Sequence, residues 1–414
     1  MATAAQLRQL AAFTAELYRA KAVLGYQGYV KHDEMALLML HPGRDDPYPL
    51  YERLRDRGPI SRTRVGNWVS TSHPLCNRIL RDRRFGVAPE GAEGNGGGLS
   101  FLEMNPPDHT RLRRLAAPAF SPKQMSGYAP LIEKTVQQLL DDLPTDGRID
   151  FVSAFAAPLP IAVISDLLGV PATHAEDFAR WGATIGTALD GVKGVRHLRA
   201  LLAANAGLEK MFQELFEERR REPSDDVVTR ILEAEGDGVA PAEMVPLCVL
   251  LFIAGFETTV NLVSNGVMAL LDHPDQWAAL RADPSLAAGT VEEVLRFDPP
   301  VQRTGRIAHS DVDLDGTLVR RGEFVVTLLG AANRDPAVYD DPGRFDITRT
   351  LPVEHLAFSS GIHYCVGQPL ARLEATIAFA ALAERAPELR RAGRMVPRNA
   401  ATIRGPLRLP IAVG

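Results

Sequence analysis

Residues 358–372 read Phe-Ser-Ser-Gly-Ile-His-Tyr-Cys-Val-Gly-Gln-Pro-Leu-Ala-Arg, and they are the most informative stretch of the chain. Cys365 lies between Gly361 and Gly367, and a helix is expected to begin near Val366. A helix that starts just after a cysteine presents free N–H groups and the positive end of its dipole to a thiolate. The two glycines let the backbone approach the sulfur and a bound group without a clash from a Cβ atom. A lone cysteine is usually a small buried hydrophobic residue, but these neighbours favour a thiolate ligand.

The whole stretch resembles the haem loop of the cytochrome P-450 family, F-x-x-G-x-H-x-C-x-G-x-x-L-A-R. Eight positions match, namely Phe358, Gly361, His363, Cys365, Gly367, Leu370, Ala371 and Arg372. With independent residue frequencies, the chance of such a match is below about one in a billion per position. The resemblance implies that Cys365 is the axial ligand of a haem iron (heme b, iron protoporphyrin IX) and that Phe358, Gly361 and Gly367 help to bind the cofactor. A thiolate ligand pushes electron density toward bound oxygen and favours O–O cleavage.

The loop departs from many family members at one place. Ser359 and Ser360 stand where many relatives have a glycine. Serine is tolerable in a loop, but a hydroxyl near the sulfur can alter the redox potential.

A second motif, Ala254-Gly255-Phe256-Glu257-Thr258-Thr259, resembles the oxygen-activation motif of the family, A-G-x-[DE]-T. The resemblance implies that Ala254 and Gly255 let a helix pass close to the haem. Oxygen activation needs two protons, and an acid followed by an alcohol, here Glu257 and Thr258, can relay them. The motif alone is short, and a polar end to an apolar helix is the alternative. Together with the cysteine loop, it predicts that Glu257 and Thr258 are the catalytic residues.

Haem carries two propionates, so cationic donors are required. Residues 106–113 resemble the helix entrance of the family, in which the histidine and the arginine four residues later bind propionates. The resemblance implies this role for His109 and Arg113, and for Arg306 and His363 at the other positions that the family uses. For Arg111 a solvated helix face is expected.

Glu293 and Arg296 match the E-x-x-R pattern of the family and lie on one helix face. Such pairs are common and usually exposed, with little effect on stability. The helix around them is apolar, however, and residues 342–345, Pro-Gly-Arg-Phe, match P-x-R-F. The resemblance implies a buried Glu293–Arg296–Arg344 triad that locks the proximal side.

Composition limits the remaining possibilities. The 414 residues include 46 Lys+Arg and 51 Asp+Glu, a formal net charge of −5 that argues against a general nucleic-acid binder. Cys76, Cys248 and Cys365 are far apart, which excludes a disulfide framework and a CxxC zinc site and indicates a reducing compartment. Residues 1–40 lack the layout of a signal peptide. The longest nearly apolar run, Met244–Phe256, is too short for a membrane span and predicts a buried helix. We therefore expect a cytoplasmic protein with no membrane span.

The order of elements predicts an α+β fold, mostly helical with a minor sheet segregated in sequence. The middle of the chain, residues 123–232, is expected to be mostly helical with a break near 186–194. Before it we expect a short helix at 49–57 and strand-like alternation at 60–70. After it we expect strand-like alternation at 303–329 and a helix at 370–385. The resemblance covers residues 45–410 and implies the triangular helical prism of the family with a small sheet domain. Residues 45–414 are expected to form a single haem domain, preceded by an N-terminal helical extension of unknown role at 1–44.

The implied reaction is that of a haem-thiolate monooxygenase, which inserts one oxygen atom from O₂ into a lipophilic organic substrate by hydroxylation or epoxidation. Substrate contacts are expected at residues 88–102, 181–195 and 301–304 and at Ala254 and Phe256. The Gly-rich part of the first range, residues 91–98, is expected to move to admit substrate, although a disordered surface loop is the alternative.

Electrons are expected from NAD(P)H through a ferredoxin reductase and a ferredoxin. The ferredoxin is expected to dock on a local positive patch of this protein, which is expected to be a monomer. The candidate cations are Arg111, Arg113, Arg114, Lys123 and Arg372. A peroxygenase or isomerase that needs no reductase, and a haem sensor without enzyme activity, are the alternatives. Turnover with peroxide but not with ferredoxin favours the first, and the absence of NAD(P)H-dependent oxidation with any redox partner favours the second.

Overall fold

The computed structural model describes residues 4–91, 99–144, 146–187, 191–236 and 238–413. Within these ranges helices dominate. The α-helices are α1 (Ala4–Gly25), α2 (Glu34–Leu38), α3 (Tyr48–Arg55), α4 (His73–Arg81), α5 (Asp108–Ala116), α6 (Pro122–Asp141), α7 (Pro158–Leu168), α8 (Ala175–Gly186), α9 (Val195–Arg221), α10 (Val227–Glu233), α11 (Pro241–Asp272), α12 (Pro274–Ala282), α13 (Ala287–Phe297), α14 (Leu329–Ala332) and α15 (Gln368–Arg385).

The strands are short and gather in small sheets. They are β1 (Ile60–Arg62), β2 (Trp68–Ser70), β3 (Phe85–Gly86), β4 (Gly147–Asp150), β5 (Thr304–Ala308), β6 (Val312–Leu314), β7 (Thr317–Val319), β8 (Phe324–Thr327), β9 (Arg390–Arg391), β10 (Val396–Pro397), β11 (Pro406–Arg408) and β12 (Pro410–Val413). The largest sheet has the order β1-β2-β8-β5-β3, in which only β2 and β8 run parallel. A second sheet has the order β4-β12-β9, and the pairs β6-β7 and β10-β11 stand apart.

The α+β prediction is confirmed, and so are most local elements. Within the strand-like range 303–329, the dipeptide Asp315-Gly316 is a sequence signal for a hairpin turn. It joins β6 to β7, and both residues have positive φ values, 56° and 87°, as a two-residue hairpin turn requires. The strand-like residues 60–70 form the hairpin β1-β2.

Two details of the expected elements differ in the structure, and a third prediction lies outside the described residues. The helix after Cys365 begins at Gln368, two residues later than expected. The middle region contains a strand, β4, which pairs with the distant C-terminal strand β12. Residues 92–98 of the Gly-rich segment lie outside the described residues, as do 188–190 of the break between α8 and α9.

Helix α11 runs through the largest apolar core, whose members come from α6, α7, α9, α13 and α15 as well. It is 32 residues long, and among the described residues it is the one helix long and apolar enough to cross a membrane. However, 83% of its most apolar window is buried inside the protein, which is typical of a central core helix. The buried helix expected at 244–256 is thus confirmed as part of α11. Its central position brings residues 254–258 into the middle of the molecule.

Candidate active site

The loop before α15 holds Cys365 in a defined position. The Cys365 N–H donates to the Phe358 carbonyl at 2.9 Å. The sulfur accepts backbone hydrogen bonds from Gly367 and Gln368, at the start of α15. Burial raises the pKa of the thiol, while these N–H groups and the nearby Arg113 and Arg372 lower it. The protein therefore supplies donors and cations for a thiolate, as expected for an N-terminal helix end.

The glycine pattern of the loop has a different cause from the one expected. Gly361 has φ +70°, and a Cβ atom there would overlap the Leu80 carbonyl at the end of α4. Gly361 thus packs against protein rather than making room beside the sulfur. Ser359 also has a positive φ, 64°. That conformation favours glycine, and it gives a physical reason for the glycine that many relatives have here.

One face of α11 stays accessible in the middle of the core. Ala254 is exposed and Thr258 half-buried, although their neighbours Ile253 and Thr259 are buried. The Thr258 hydroxyl donates to the Ala254 carbonyl at 2.7 Å. Small residues and a helix-bonded hydroxyl thus share this open face, as expected. Gly255 differs, because its missing side chain makes room for Ile164 of α7, which a Cβ would meet at 3.1 Å.

Glu257 points elsewhere than Thr258. Its carboxylate is buried and forms an ion pair with Arg398 across 2.5 Å. Arg398 follows β10, 141 residues after Glu257 in the chain (398 − 257). Sequence reasoning missed this partner, because nothing in the local pattern of residues 386–405 marks one arginine among several.

The four side chains expected to bind the propionates come together beside the cysteine loop. The rings of His109 (α5) and His363 lie 4.2 Å apart between centroids. Arg113 donates to the Tyr364 carbonyl. Arg306, buried on β5, donates to the Gly305 carbonyl at 2.8 Å and has no carboxylate partner among the described residues.

The electrostatics of this cluster favour an anion. Burial, reinforced by Arg113 and Arg306, lowers the pKa of His109 to about 4. Burial, reinforced by Arg306, His109 and Arg113, lowers the pKa of His363 to about 3. Burial also lowers the pKa of Arg306 to about 10. Both ring nitrogens of His109 and Nε2 of His363 are buried without a hydrogen-bond partner in the described part of the chain. Each neutral imidazole carries one N–H donor that requires an acceptor when it is buried. A group with several anionic oxygens supplies acceptors for these donors and for Arg113 and Arg306.

The predicted Glu293–Arg296–Arg344 triad is wrong in its third member. Glu293 and Arg296 form a buried bidentate pair at 2.7 and 2.8 Å. The Arg344 side chain is 61% exposed and pairs with Asp346, so only its backbone carbonyl reaches Arg296. The arginine that contacts Glu293 is Arg349, at 3.4 Å and 13% exposed. The turn that starts at residue 341 brings Arg349, five residues after Arg344, back to the pair.

The surface cations also separate into two groups. Arg111 does not face solvent alone, because it pairs with Glu243 of α11 and with Asp108. Arg372 pairs with Glu292 of α13 at 2.6 Å. Arg114 and Lys123 are exposed and form no ion pair within the described ranges.

Comparisons with known proteins agree with this geometry. The family model described as cytochrome P450 matches residues 192–385. The chain is 40% identical over 359 residues to the biotin biosynthesis cytochrome P450 of Bacillus subtilis (strain 168), covering 83% of this chain and 90% of that protein. It is also 40% identical over 395 residues to cytochrome P450 107B1 of Saccharopolyspora erythraea, covering 89% and 95%. The chain belongs to the cytochrome P450 family.

Solved structures agree on the fold. The structure of P450BioI in complex with hexadec-9Z-enoic acid ligated acyl carrier protein superposes with a TM-score of 0.85 at 38% identity. The match covers 90% of this chain and all of the other, 100%. The protein therefore has the cytochrome P450 fold, is a haem-thiolate monooxygenase and uses heme b as its cofactor. The residues fit this cofactor. Among the described residues, the buried ring nitrogens of His109 and Nε2 of His363 have no hydrogen-bond partner, and Arg306 has no carboxylate partner. They lie beside a cysteine whose sulfur accepts N–H bonds.

Proposed function

We propose that Cys365 is the axial ligand of the haem and that His109, Arg113, Arg306 and His363 hold its propionates. When bound, the cofactor supplies oxygen activation at a thiolate-ligated iron. Two observations support this assignment. The N–H donors at Cys365 suit a thiolate ligand, and the cluster of two arginines and two histidines suits two carboxylates. Phe358, Gly361 and Gly367 shape the cysteine loop. Ala254 keeps the accessible face of α11 narrow beside the cofactor, and Gly255 lets the helix pack against Ile164 of α7.

Proton delivery is assigned to Glu257 and Thr258. The Thr258 hydroxyl lies on the accessible face of α11, and its bond to the Ala254 carbonyl fixes the position of its oxygen. An alcohol held in this way can accept a proton from an acid and pass it on. Glu257, one residue earlier, is the nearest acid in sequence and comes from a buried position. Because its carboxylate pairs with Arg398, Glu257 has to turn toward Thr258 in order to resupply the alcohol with a proton.

The substrate is a lipophilic organic molecule that is hydroxylated or epoxidised. Support comes from the long acyl chain named in the P450BioI structure. Phe256, expected to contact substrate, is instead buried in the core and stacks on Phe252. Apolar pockets with few polar groups favour such ligands. A screen for ligand-induced shifts of the haem spectrum on the purified protein identifies the class.

Electrons reach the protein from NAD(P)H through a ferredoxin reductase and a ferredoxin. Arg114 and Lys123, which are exposed and form no ion pair with a described residue, support a docking site for an acidic partner on the side of the cysteine loop. Helix α5 carries both Arg114 and the propionate donor Arg113. We further propose a cytoplasmic monomer in which residues 45–414 form one haem domain and residues 1–44 an extension.

The relay is tested by Thr258→Ala, with Thr259→Val as the matched control. Thr259 is the next residue on α11 but is buried in the core. Thr258→Ala should still bind haem and substrate, while product formed per NAD(P)H falls and peroxide or water rises. Thr259→Val should keep the wild-type ratio. An unchanged ratio in Thr258→Ala contradicts the relay.

A further inference from the structure

The guanidinium of Arg372 is held from several sides near the start of α15. Its Nε and Nη2 atoms donate to the two carboxylate oxygens of Glu292 on α13, at 2.6 and 3.1 Å. Its Nη1 atom donates to the side chain of Gln368, one turn earlier. The guanidinium carbon lies 4.6 Å from the centre of the Phe358 ring, which belongs to the cysteine loop. Arg372 therefore joins α13 to the loop that carries Cys365.

A buried histidine fixes the carboxylate that holds Arg372. The His355 side chain is fully buried, and its Nε2 atom lies 3.2 Å from Glu292 Oε2. Its Nδ1 atom accepts the Ala357 N–H at 3.3 Å, which fixes the orientation of the ring. Burial raises the pKa of Glu292, but the hydrogen bonds and charges of His355 and Arg372 outweigh burial and lower this pKa to about 2. The carboxylate is therefore ionised at neutral pH, and the ion pair persists.

The charge of Arg372 also acts on the cysteine. Burial raises the pKa of the Cys365 thiol, whereas the Gly367 N–H and the charges of Arg113 and Arg372 lower it. A cation that stabilises a thiolate also stabilises the negative charge that one-electron reduction adds to a thiolate-ligated haem. Arg113 is assigned to a propionate as well, so its loss would disturb cofactor binding. Arg372 is therefore the cation whose effect on the cofactor can be measured by itself.

The same contacts leave Arg372 poorly placed to bind an acidic electron donor. Its side chain is only 25% exposed, and Glu292 already occupies two of its nitrogen atoms. A second carboxylate, that of Glu354, is 60% exposed and lies 3.8 Å from Nη2. An acidic partner would meet these carboxylates as well as the guanidinium, and like charges disfavour association.

We propose that Arg372 raises the reduction potential of the haem through its charge, and that Glu292 is the positioning residue that holds Arg372 beside the cysteine loop and limits its effect. The pair therefore sets how readily the protein accepts its first electron, and Arg372 is not a docking contact for the electron donor. This inference rests on the proposed ligation of the haem iron by Cys365.

The test measures the reduction potential of the isolated, haem-loaded protein by spectroelectrochemical titration. A unit charge about 10 Å away changes an equilibrium by about tenfold at an effective dielectric constant of about 20. A tenfold change in the equilibrium constant of one-electron reduction is about 59 mV. Arg372→Met should lower the potential by about this amount, and Arg372→Lys, which keeps the charge, by less. The matched control Arg385→Met should leave it unchanged, because Arg385 ends the same helix and pairs with Asp141 of α6.

Glu292→Gln should shift the potential in the opposite direction. It removes the compensating charge but keeps one side-chain oxygen for Arg372, whose contacts with Gln368 and Phe358 remain, so the potential should rise. Glu292→Gln combined with Arg372→Met has the net charge of the wild type and should lie between the two single variants. A general loosening of the loop has no reason to change sign in this way. If Arg372→Met does not fold, Arg372→Lys and Glu292→Gln still test the sign.

Two further readouts separate this inference from docking and from the ligand assignment. First-electron transfer from a soluble [2Fe–2S] ferredoxin should keep its wild-type salt dependence in Arg372→Met, and a weaker salt dependence contradicts the exclusion of Arg372 from docking. The reduced carbon monoxide complex of each variant should keep the red-shifted Soret band. An unchanged potential in Arg372→Met with that band present, or shifts of equal sign in Arg372→Met and Glu292→Gln, contradict the role of Arg372 and leave Cys365 as the ligand. Absence of the band from the wild type contradicts the ligand assignment itself.

Discussion

Replacing Arg349 with alanine should destabilise the protein far more than replacing Arg344. Arg349 contacts Glu293 and donates to the Asp340, Asp341 and Arg344 carbonyls at 2.6, 3.1 and 3.0 Å. Hydrogen bonds of charged groups contribute about 1.5–3 kcal/mol each but do not add fully. We therefore expect a loss of about 3 kcal/mol for Arg349→Ala. Arg344 is mostly exposed with one surface pair, for which about 0–1 kcal/mol is usual.

For a chain of 414 residues, an unfolding entropy of about 2.1 cal/mol/K per residue converts 3 kcal/mol into roughly 3 °C. Thermal melts of the haem-loaded variants, followed by circular dichroism and by the haem absorbance, measure the difference. Arg344→Ala should lie within about 1 °C of the wild type on the same scale. A drop for Arg344→Ala equal to or larger than that for Arg349→Ala would refute the assignment of the third member of the triad.

Three further changes test other parts of the structure. Burial raises the pKa of Glu374 to about 8, above its ordinary value of 4.5. Between these two values the folded protein keeps a proton that the unfolded chain loses, so the free energy of unfolding falls as the pH rises. Glu374→Gln should flatten this decline in thermal melts between pH 5 and 8, and an unchanged slope contradicts the role of Glu374. Gly361→Ala should destabilise the protein by about 2 kcal/mol, because the new Cβ atom overlaps the Leu80 carbonyl and the backbone φ is positive. Ser359→Gly should leave the free energy of unfolding unchanged or raise it by up to about 1 kcal/mol in denaturant melts. The reverse order of stabilities contradicts the loop geometry. Arg114→Glu should slow first-electron transfer from a ferredoxin in stopped-flow traces, with a defect that shrinks as salt rises; wild-type kinetics at low salt exclude Arg114.

Features fixed by a few consecutive residues could be predicted from the sequence. The turn at Asp315-Gly316 needs two positive φ values, and that dipeptide supplies them at low cost. The buried helix α11 follows from a long apolar run, and the E-x-x-R pair follows from the i,i+3 spacing on a helix. These elements are determined by residues that are close together in the sequence, so they can be predicted without knowledge of distant contacts.

Features fixed by chain folding over long distances could not be predicted. Arg344 and Arg349 lie five residues apart, and only the path of the turn between them decides which side chain reaches Glu293. Arg398 meets Glu257 from the other end of the chain, and its local sequence gives no sign of a partner. Strand β4 is four residues long and is formed by pairing with β12, so its own residues show no clear alternation.

Two motif glycines contact neighbours other than the expected cofactor. Gly255 and Gly361 were expected to make room for the cofactor, and both instead make room for protein, at Ile164 and Leu80. A motif predicts that a glycine is required at a position, but it does not predict which neighbouring atoms leave no room for a side chain there. The direction of a Cβ atom is set by the backbone, and the backbone direction is a property of the folded chain.

The absorbance spectrum of the reduced protein with carbon monoxide tests the central claim most directly. Cys365 lies just before α15, and its sulfur accepts N–H bonds from two residues at the start of that helix. Cys76 and Cys248 are buried within α4 and α11. Burial raises the pKa of all three thiols, that of Cys76 to about 12. Cys76→Ser and Cys248→Ser should keep the red-shifted Soret band of a thiolate-ligated haem, and Cys365→Ser should lose it. Retention of that band in Cys365→Ser would contradict the assignment of the iron ligand and with it the account of the site.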